Sequence, residues 1–100
     1  MHRPPIALSV APVRQALRAV RESFLHLSLN PECQRRIAQA VNATEQLAEH
    51  ADRHDRRAIS RLAERMASTL RSAALQSRGI GSNDLTAVLS DAIACEAINA

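Results

Sequence analysis

Apolar residues recur at helical spacing in the first part of the chain. They follow one another at intervals of 4, 3, 4 and 3 residues: Val13, Leu17, Val20, Phe24 and Leu27. This spacing is typical of a helix that buries one stripe, either inside a bundle or against a second chain. Pro12 suits the start of such a helix, and the helix must end before Pro31 because a residue that precedes proline avoids the α region. We expect a flexible tail over residues 1–11 and a first helix over about 12–29.

The stretch between Pro31 and Gly79 contains no other glycine or proline and has two interpretations. It forms either two helices with a break near Asp52–Asp55, or one long helix that a partner chain must cover. In the nine residues from 49 to 57, Ala51 is the only apolar residue. No buried stripe crosses this segment, so we favour a break, with helices over about 31–51 and 55–78.

Gly79 and Gly81 predict a stop, and the polar residues 82–84 can cap a further helix over about 83–97. Its apolar positions are Leu85, Val88, Leu89, Ala92 and Ile93. Glu96 projects onto the same apolar face. Either the helix frays at that point, or Glu96 meets a cation from another helix.

These elements predict an all-α protein with one domain over 12–100, a small bundle of three to four amphipathic helices. The composition agrees, since the chain has 19 Ala and only 2 Gly. It has no Gly-rich loop to cradle phosphates, which excludes the nucleotide-binding α/β folds. Leu, Ile, Val and Phe make up only 23 of the 100 residues. Because this core is light, we expect either self-association, in which a homodimer completes the bundle, or binding to a partner.

All 13 basic residues are Arg, and the formal net charge is +3. Abundant Arg and Ala without Lys indicate a GC-rich coding sequence, which is typical of many bacteria. No apolar run is long enough for a membrane span. Residues 1–21 hold four Arg and no acid, as a mitochondrial transit peptide would. The helical pattern continues past Glu22, however, so we favour a short tail on a cytoplasmic protein.

Basic charge is concentrated over residues 53–71, which hold six Arg against Asp55 and Glu64. Contact with phosphates or nucleic acid would use Arg53, Arg56, Arg57, Arg61 and Arg65. Arg suits this role because its planar guanidinium binds phosphate with two donors. A solvated helix face is the alternative that we favour, because acids are interleaved with the Arg residues. Phe24 is the only aromatic residue, so base stacking on a single strand is disfavoured.

No residue pattern indicates catalysis. His50 and His54 are one turn apart, and in an up-down bundle Cys95 and Glu96 could approach them as zinc ligands. The pattern lacks the glutamate that follows the first histidine in zinc proteases, so we expect surface histidines and neither a metal nor a cofactor. The same bundle puts Cys33 and Cys95 at opposite ends, about 20 Å apart, which is too far for a disulfide.

Two function hypotheses follow, and an enzyme is the weakest third. The first is a small non-catalytic regulatory or adaptor protein that binds an unidentified protein through an apolar helical face. We expect that face to be the stripe on the first helix (Val13, Leu17, Val20, Phe24 and Leu27), although the same pattern also fits a bundle core. The alternative is a nucleic-acid-binding regulator that uses the Arg-rich residues 53–71.

Overall fold

The computed structural model describes residues 9–25, 31–75 and 80–99. They form four helices: α1 (Ala11–Leu25), α2 (Pro31–Arg53), α3 (Arg57–Leu75) and α4 (Ser82–Asn99). No strand occurs in these three segments. The prediction of a small all-α bundle is therefore confirmed. None of the four helices combines the length and the apolar character that crossing a membrane requires.

The helices pack in a ring in chain order. α1 packs against α2, α2 against α3 and α3 against α4, and α4 closes the ring through a smaller contact with α1. The most extensive contact joins α2 to α3. Consecutive amphipathic helices with short connections bury their stripes well in this way, because each helix meets its neighbour in antiparallel orientation.

One core runs through the ring. Its largest fully buried side chains include Leu17 from α1, Ile59, Met66 and Leu70 from α3, and Val88 from α4. Much of the remaining core consists of alanine, which lets the helix backbones approach closely. Thr44 of α2 is the one fully buried hydroxyl among the described residues, and it donates to the carbonyl oxygens of Ala40 and Val41 at 2.9 Å. This core belongs to a single chain.

The chain breaks between α2 and α3 inside the charged segment. Asp55 adopts a left-handed backbone with φ of 57°. The N–H of Arg56 donates to the carbonyl of Ala51 at 2.8 Å, and the N–H of Asp55 donates to Asp52 at 3.2 Å. This pair of bonds is the Schellman motif, with Asp55 in the position that glycine usually occupies. The arrangement ends α2 at Arg53, slightly later than the pattern indicated.

Three helix starts differ from the expected boundaries, and one of them is α3, which begins at Arg57 where residue 55 was predicted. The predicted tail reached residue 11, but Ala11 already lies in α1, and Val10 is buried in the core. The carbonyl of Val10 accepts the N–H of Arg14 at 3.0 Å, which makes Val10 the cap of α1. At the other end, α4 begins at Ser82, and Gly81 is its cap through the N–H of Leu85 at 2.9 Å. Residues 1–8, which form the rest of the predicted tail, lie outside the described residues.

Candidate protein-binding surface

α4 buries one side and leaves the other without charge. Leu85, Val88, Ala92 and Cys95 face the core. The opposite side, here called the uncharged α4 face, consists of exposed residues: Thr86, Ala87, Ser90, Ile93, Ala97 and Ile98. Ile93 is 67% exposed and Ile98 is 44% exposed. Leu75 at the end of α3 is 90% exposed as well, and exposed apolar side chains that form a contiguous patch are a common mark of a binding surface.

The two acids in the second half of α4 point sideways to the neighbouring helices. Asp91 is largely buried and accepts two hydrogen bonds from Arg65 of α3, from Nε at 2.9 Å and from Nη2 at 2.5 Å. Glu96 pairs with Arg14 of α1 at 2.8 Å. Glu96 thus meets a cation, which was one of the two outcomes expected for it. Because both carboxylates are held at the helix seams, no charge reaches the outer side of this half.

Arginines border the uncharged α4 face on both sides. Arg14 marks the seam with α1, and Arg18 and Arg21 follow it one and two turns later on the same side of that helix. Arg65 marks the seam with α3, where Arg61 lies one turn earlier. All of these side chains are exposed. The hydrogen bond between Arg65 and Asp91 raises the pKa of that guanidinium further, so it stays charged at any ordinary pH.

The apolar stripe of the first helix lies inside the bundle. Val13, Leu17 and Val20 are each at most 2% exposed and contact the other helices of the same chain. The side chain of Phe24 and all of Leu27 lie outside the described residues. Intrachain packing accounts for the pattern of the three buried positions. A partner could reach them only if the bundle opened.

The five arginines predicted to contact phosphate do not share one surface. Arg53 ends α2 and pairs with Glu49, whereas Arg57 lies 3.4 Å from Asp55. Arg65 turns toward α4. The two others are Arg56, whose Nη2 lies 3.5 Å from the carbonyl of Ile98, and the exposed Arg61. Carboxylates of the same chain therefore offset much of the local positive charge.

The opposite side of α3 forms an acidic groove with α2. This acidic α2–α3 seam encloses about 420 Å³. It is lined by four carboxylates, one arginine and two alanines: Glu45, Glu49, Asp52, Glu64, Arg71, Ala48 and Ala67. Arg71 pairs with Glu45 at 3.0 Å across the groove. Acidic and basic surfaces thus lie on different sides of the molecule.

The sequence also singled out two histidines and two cysteines. His50 and His54 are exposed and stack on each other with ring centroids 5.7 Å apart. No group of three or more His, Cys, Asp or Glu side chains within the described segments could hold a metal ion. Neither Cys33 nor Cys95 forms a disulfide in the described part of the chain. Burial, assisted by the nearby charges of Asp91 and Glu96, raises the pKa of Cys95 to about 11.

Comparison with protein-family models, curated proteins and solved structures finds no match to this chain. The surface that stands out, the uncharged α4 face, was missed by the sequence reasoning. A signal for it exists in the sequence. Asp91 and Glu96 fall on the same side of the helical wheel as the buried Val88, which leaves the other side without a charged residue.

Proposed function

We propose that this protein is a small non-catalytic adaptor or regulatory protein that binds another protein through the uncharged α4 face. The observation that carries the proposal is the exposure of Ile93 and Ile98 on a helix side without charge. Burying an isoleucine side chain contributes about 1.5–3 kcal/mol. Two such side chains, with small neighbours that allow close approach, provide the apolar centre that specific interfaces require.

A catalytic role has less support. The buried Cys95 is a poor nucleophile, because its raised pKa keeps the thiol protonated at neutral pH. His50 and His54 are exposed and stack on each other at the surface. We therefore propose neither a catalytic residue nor a cofactor.

The two other expectations from the sequence stay predictions. Homodimerisation was expected because the core is light, and light scattering on a size-exclusion column measures it directly. Nucleic-acid binding through the Arg-rich residues is less favoured than protein binding. Phosphates would have to displace the carboxylates that pair with Arg53, Arg57 and Arg65. Binding of nucleic acid there would also leave the side chain of Ile93 exposed to water.

Position-specific photocrosslinking tests the proposal. A benzophenone amino acid is placed at Ala97, on the uncharged α4 face, and as a matched control at Gln46, an exposed position on α2. Each protein is irradiated in an extract of the organism that makes it. We expect a discrete crosslinked band from position 97 and none from position 46. The partner in that band is then identified by mass spectrometry.

Competition shows whether the band reflects the proposed face. An excess of unlabelled wild-type protein should abolish it, and so should the control variant Gln46→Glu. The variant Ile93→Glu should fail to compete, because the substitution removes the apolar burial that Ile93 contributes and puts a charge into the contact. The proposal is wrong if Ile93→Glu competes as well as wild type, or if both labelled positions yield the same products.

A further inference from the structure

We infer that the partner presents an amphipathic helix with an apolar stripe bordered by acidic residues, which lies along α4 between two rows of arginine. This inference rests on the proposed function and names the chemistry of the partner. It is carried by the shape of the uncharged α4 face and by the charges on either side of it.

The outer side of α4 carries a strip of small residues with one isoleucine at each edge, and this strip is here called the trough. Ile93 lies next to Glu96 on the helix and therefore at the seam with α1. Ile98 is two turns beyond Asp91 and therefore at the seam with α3, where the Arg56 guanidinium lies 3.5 Å from its carbonyl. Between these two side chains, the outward positions hold only Ser90, Ala94 and Ala97. Small residues between two bulky ones fit the rounded surface of another helix, whose axis can then approach closely.

The borders of the trough are basic. Arg14, Arg18 and Arg21 follow the α1 side, and Arg61 and Arg65 follow the α3 side. Glu96 and Asp91 pair with one arginine on each side, so a positive excess remains along both. A helix in the trough would bring its flanking residues against these guanidiniums. Glu or Asp at those flanks gains ion pairs and faster encounter, whereas Lys or Arg is repelled.

A second copy of the chain fits the trough less well. In a two-fold dimer through α4, whether the two helices run parallel or antiparallel, the arginine rows of one copy oppose those of the other. Like charges so placed disfavour the contact. The acidic α2–α3 seam of another copy has the right charge, but that contact is head-to-tail, so it would have to close into a ring of several copies or continue into an open chain.

An anionic membrane has the same negative charge as the proposed partner helix, but its flat surface does not match the narrow outer side of α4. Helices that lie in the membrane interface usually insert aromatic or long apolar side chains along their length. The outer side of α4 has two isoleucines among alanine, serine and threonine, and the chain has no Trp or Tyr. A partner helix fits the narrow strip of small residues, and its acidic flanks pair with the arginines on either side.

A displayed helix library tests this inference on the full chain. The library presents 18-residue helices with a constant stripe of Leu and Ala, in which the flanking positions vary among Glu, Gln and Lys. Selection against the wild-type protein at 150 mM NaCl should enrich Glu over Gln about two- to fivefold at each flanking position. Arg18→Glu with Arg61→Glu leaves the α1 side neutral and the α3 side negative once Glu96 and Asp91 are counted. Selection against this double variant should therefore abolish the preference for Glu. The matched double variant Arg35→Glu with Arg53→Glu, on the outer side of α2, should retain it.

The selected helices are then measured against Ile93→Glu, which separates this inference from the proposed function. Loss of binding to Ile93→Glu together with acidic flanks supports both. Binders that need Ile93 but carry neutral or basic flanks overturn the acidic partner and leave the protein-binding function standing. The absence of any binder that needs Ile93 overturns the helical partner, and the photocrosslinking competition then decides whether the protein-binding function stands. Wild type and Ile93→Glu are also compared for binding to phosphatidylglycerol vesicles, for binding to duplex DNA and, by light scattering, for dimerisation. If Ile93→Glu abolishes one of these, the uncharged α4 face is assigned to the membrane, to nucleic acid or to a second copy instead.

Discussion

The most specific consequence of the fold for stability concerns alkaline pH. The chain has no Lys and no Tyr, which are the other side chains that ordinarily lose a proton between about pH 9 and 11. Cys95 is fully buried beside Asp91 and Glu96, and its pKa rises from 9.0 to about 11. Raising the pH through this window should therefore destabilise the native state through one identified group.

The sign follows from linkage. The unfolded chain loses the Cys95 proton near pH 9, whereas the folded chain holds it until about pH 11, so alkaline pH favours the unfolded state. The stabilisation is complete below pH 9 and is lost as the pH rises through 11. Because the pKa is about 2 higher in the folded than in the unfolded chain, the free energy of unfolding falls by about 1 kcal/mol at pH 10 and about 2 kcal/mol at pH 11. Total stabilities of 5–15 kcal/mol are usual, so the effect is measurable.

Urea unfolding followed by circular dichroism at 222 nm measures this loss. Curves are recorded at pH 8.5, 10 and 11 with a phosphine reductant that keeps both thiols reduced. The comparison uses wild type, Cys95→Ala and the control Cys33→Ala. We expect wild type and Cys33→Ala to lose about 2 kcal/mol between pH 8.5 and 11, and Cys95→Ala to lose almost nothing.

The comparison uses each variant's change in the free energy of unfolding between pH 8.5 and 11. Any loss of stability that Cys95→Ala causes equally at all pH values therefore cancels. The reasoning fails if wild type is equally stable at pH 8.5 and 11. It fails equally if Cys95→Ala keeps the full pH dependence, since that would assign the titration to another group.

Four further measurements follow from the packing. Asp55→Gly should raise the free energy of unfolding by about 0.5–1 kcal/mol, because glycine adopts the left-handed backbone without steric cost, and a loss of stability would contradict the Schellman assignment. Thr44→Val should change stability by less than about 1 kcal/mol and Thr44→Ala should cost more, since the site needs the volume more than the hydroxyl; the reverse order would show that the hydrogen bonds dominate. Leu17→Ala should cost about 2–5 kcal/mol, and a negligible shift in melting temperature would mean that α1 does not complete the core. Ellman's reagent at pH 8 should find one reactive thiol, Cys33, in the native protein and two in guanidinium, whereas two in the native state would place Cys95 at the surface.

Local sequence patterns were sufficient to predict the helices. The spacing of Val13, Leu17 and Val20 predicted α1 because a helix brings such positions onto one face. The run of charged residues between α2 and α3 predicted a break because no buried stripe can cross it. The pattern could not show that Val10 belongs to the core, because two prolines and a short apolar run before it are equally typical of a tail.

The candidate site was much harder to predict. An apolar stripe shows that a surface is covered but not by what, so the stripe of α1 suited an interface as well as a core. Likewise, six arginines in 19 residues show where charge is dense along the chain, but not which side chains turn to carboxylates on another helix. Arg65 pairs with Asp91, 26 residues away, and no local rule reports that contact.

The sequence by itself therefore determined the all-α class, the amphipathic faces and the place where α2 gives way to α3, because helical periodicity and turn chemistry are local properties. Tertiary structure alone decided which faces cover one another. The ring order turned the stripe of α1 inward, held Asp91 and Glu96 at the seams of α4, and left Ile93 and Ile98 exposed between arginines. Burial and charge pairing depend on contacts between residues far apart in the chain, and for that reason the proposed binding surface emerged only from the packed helices.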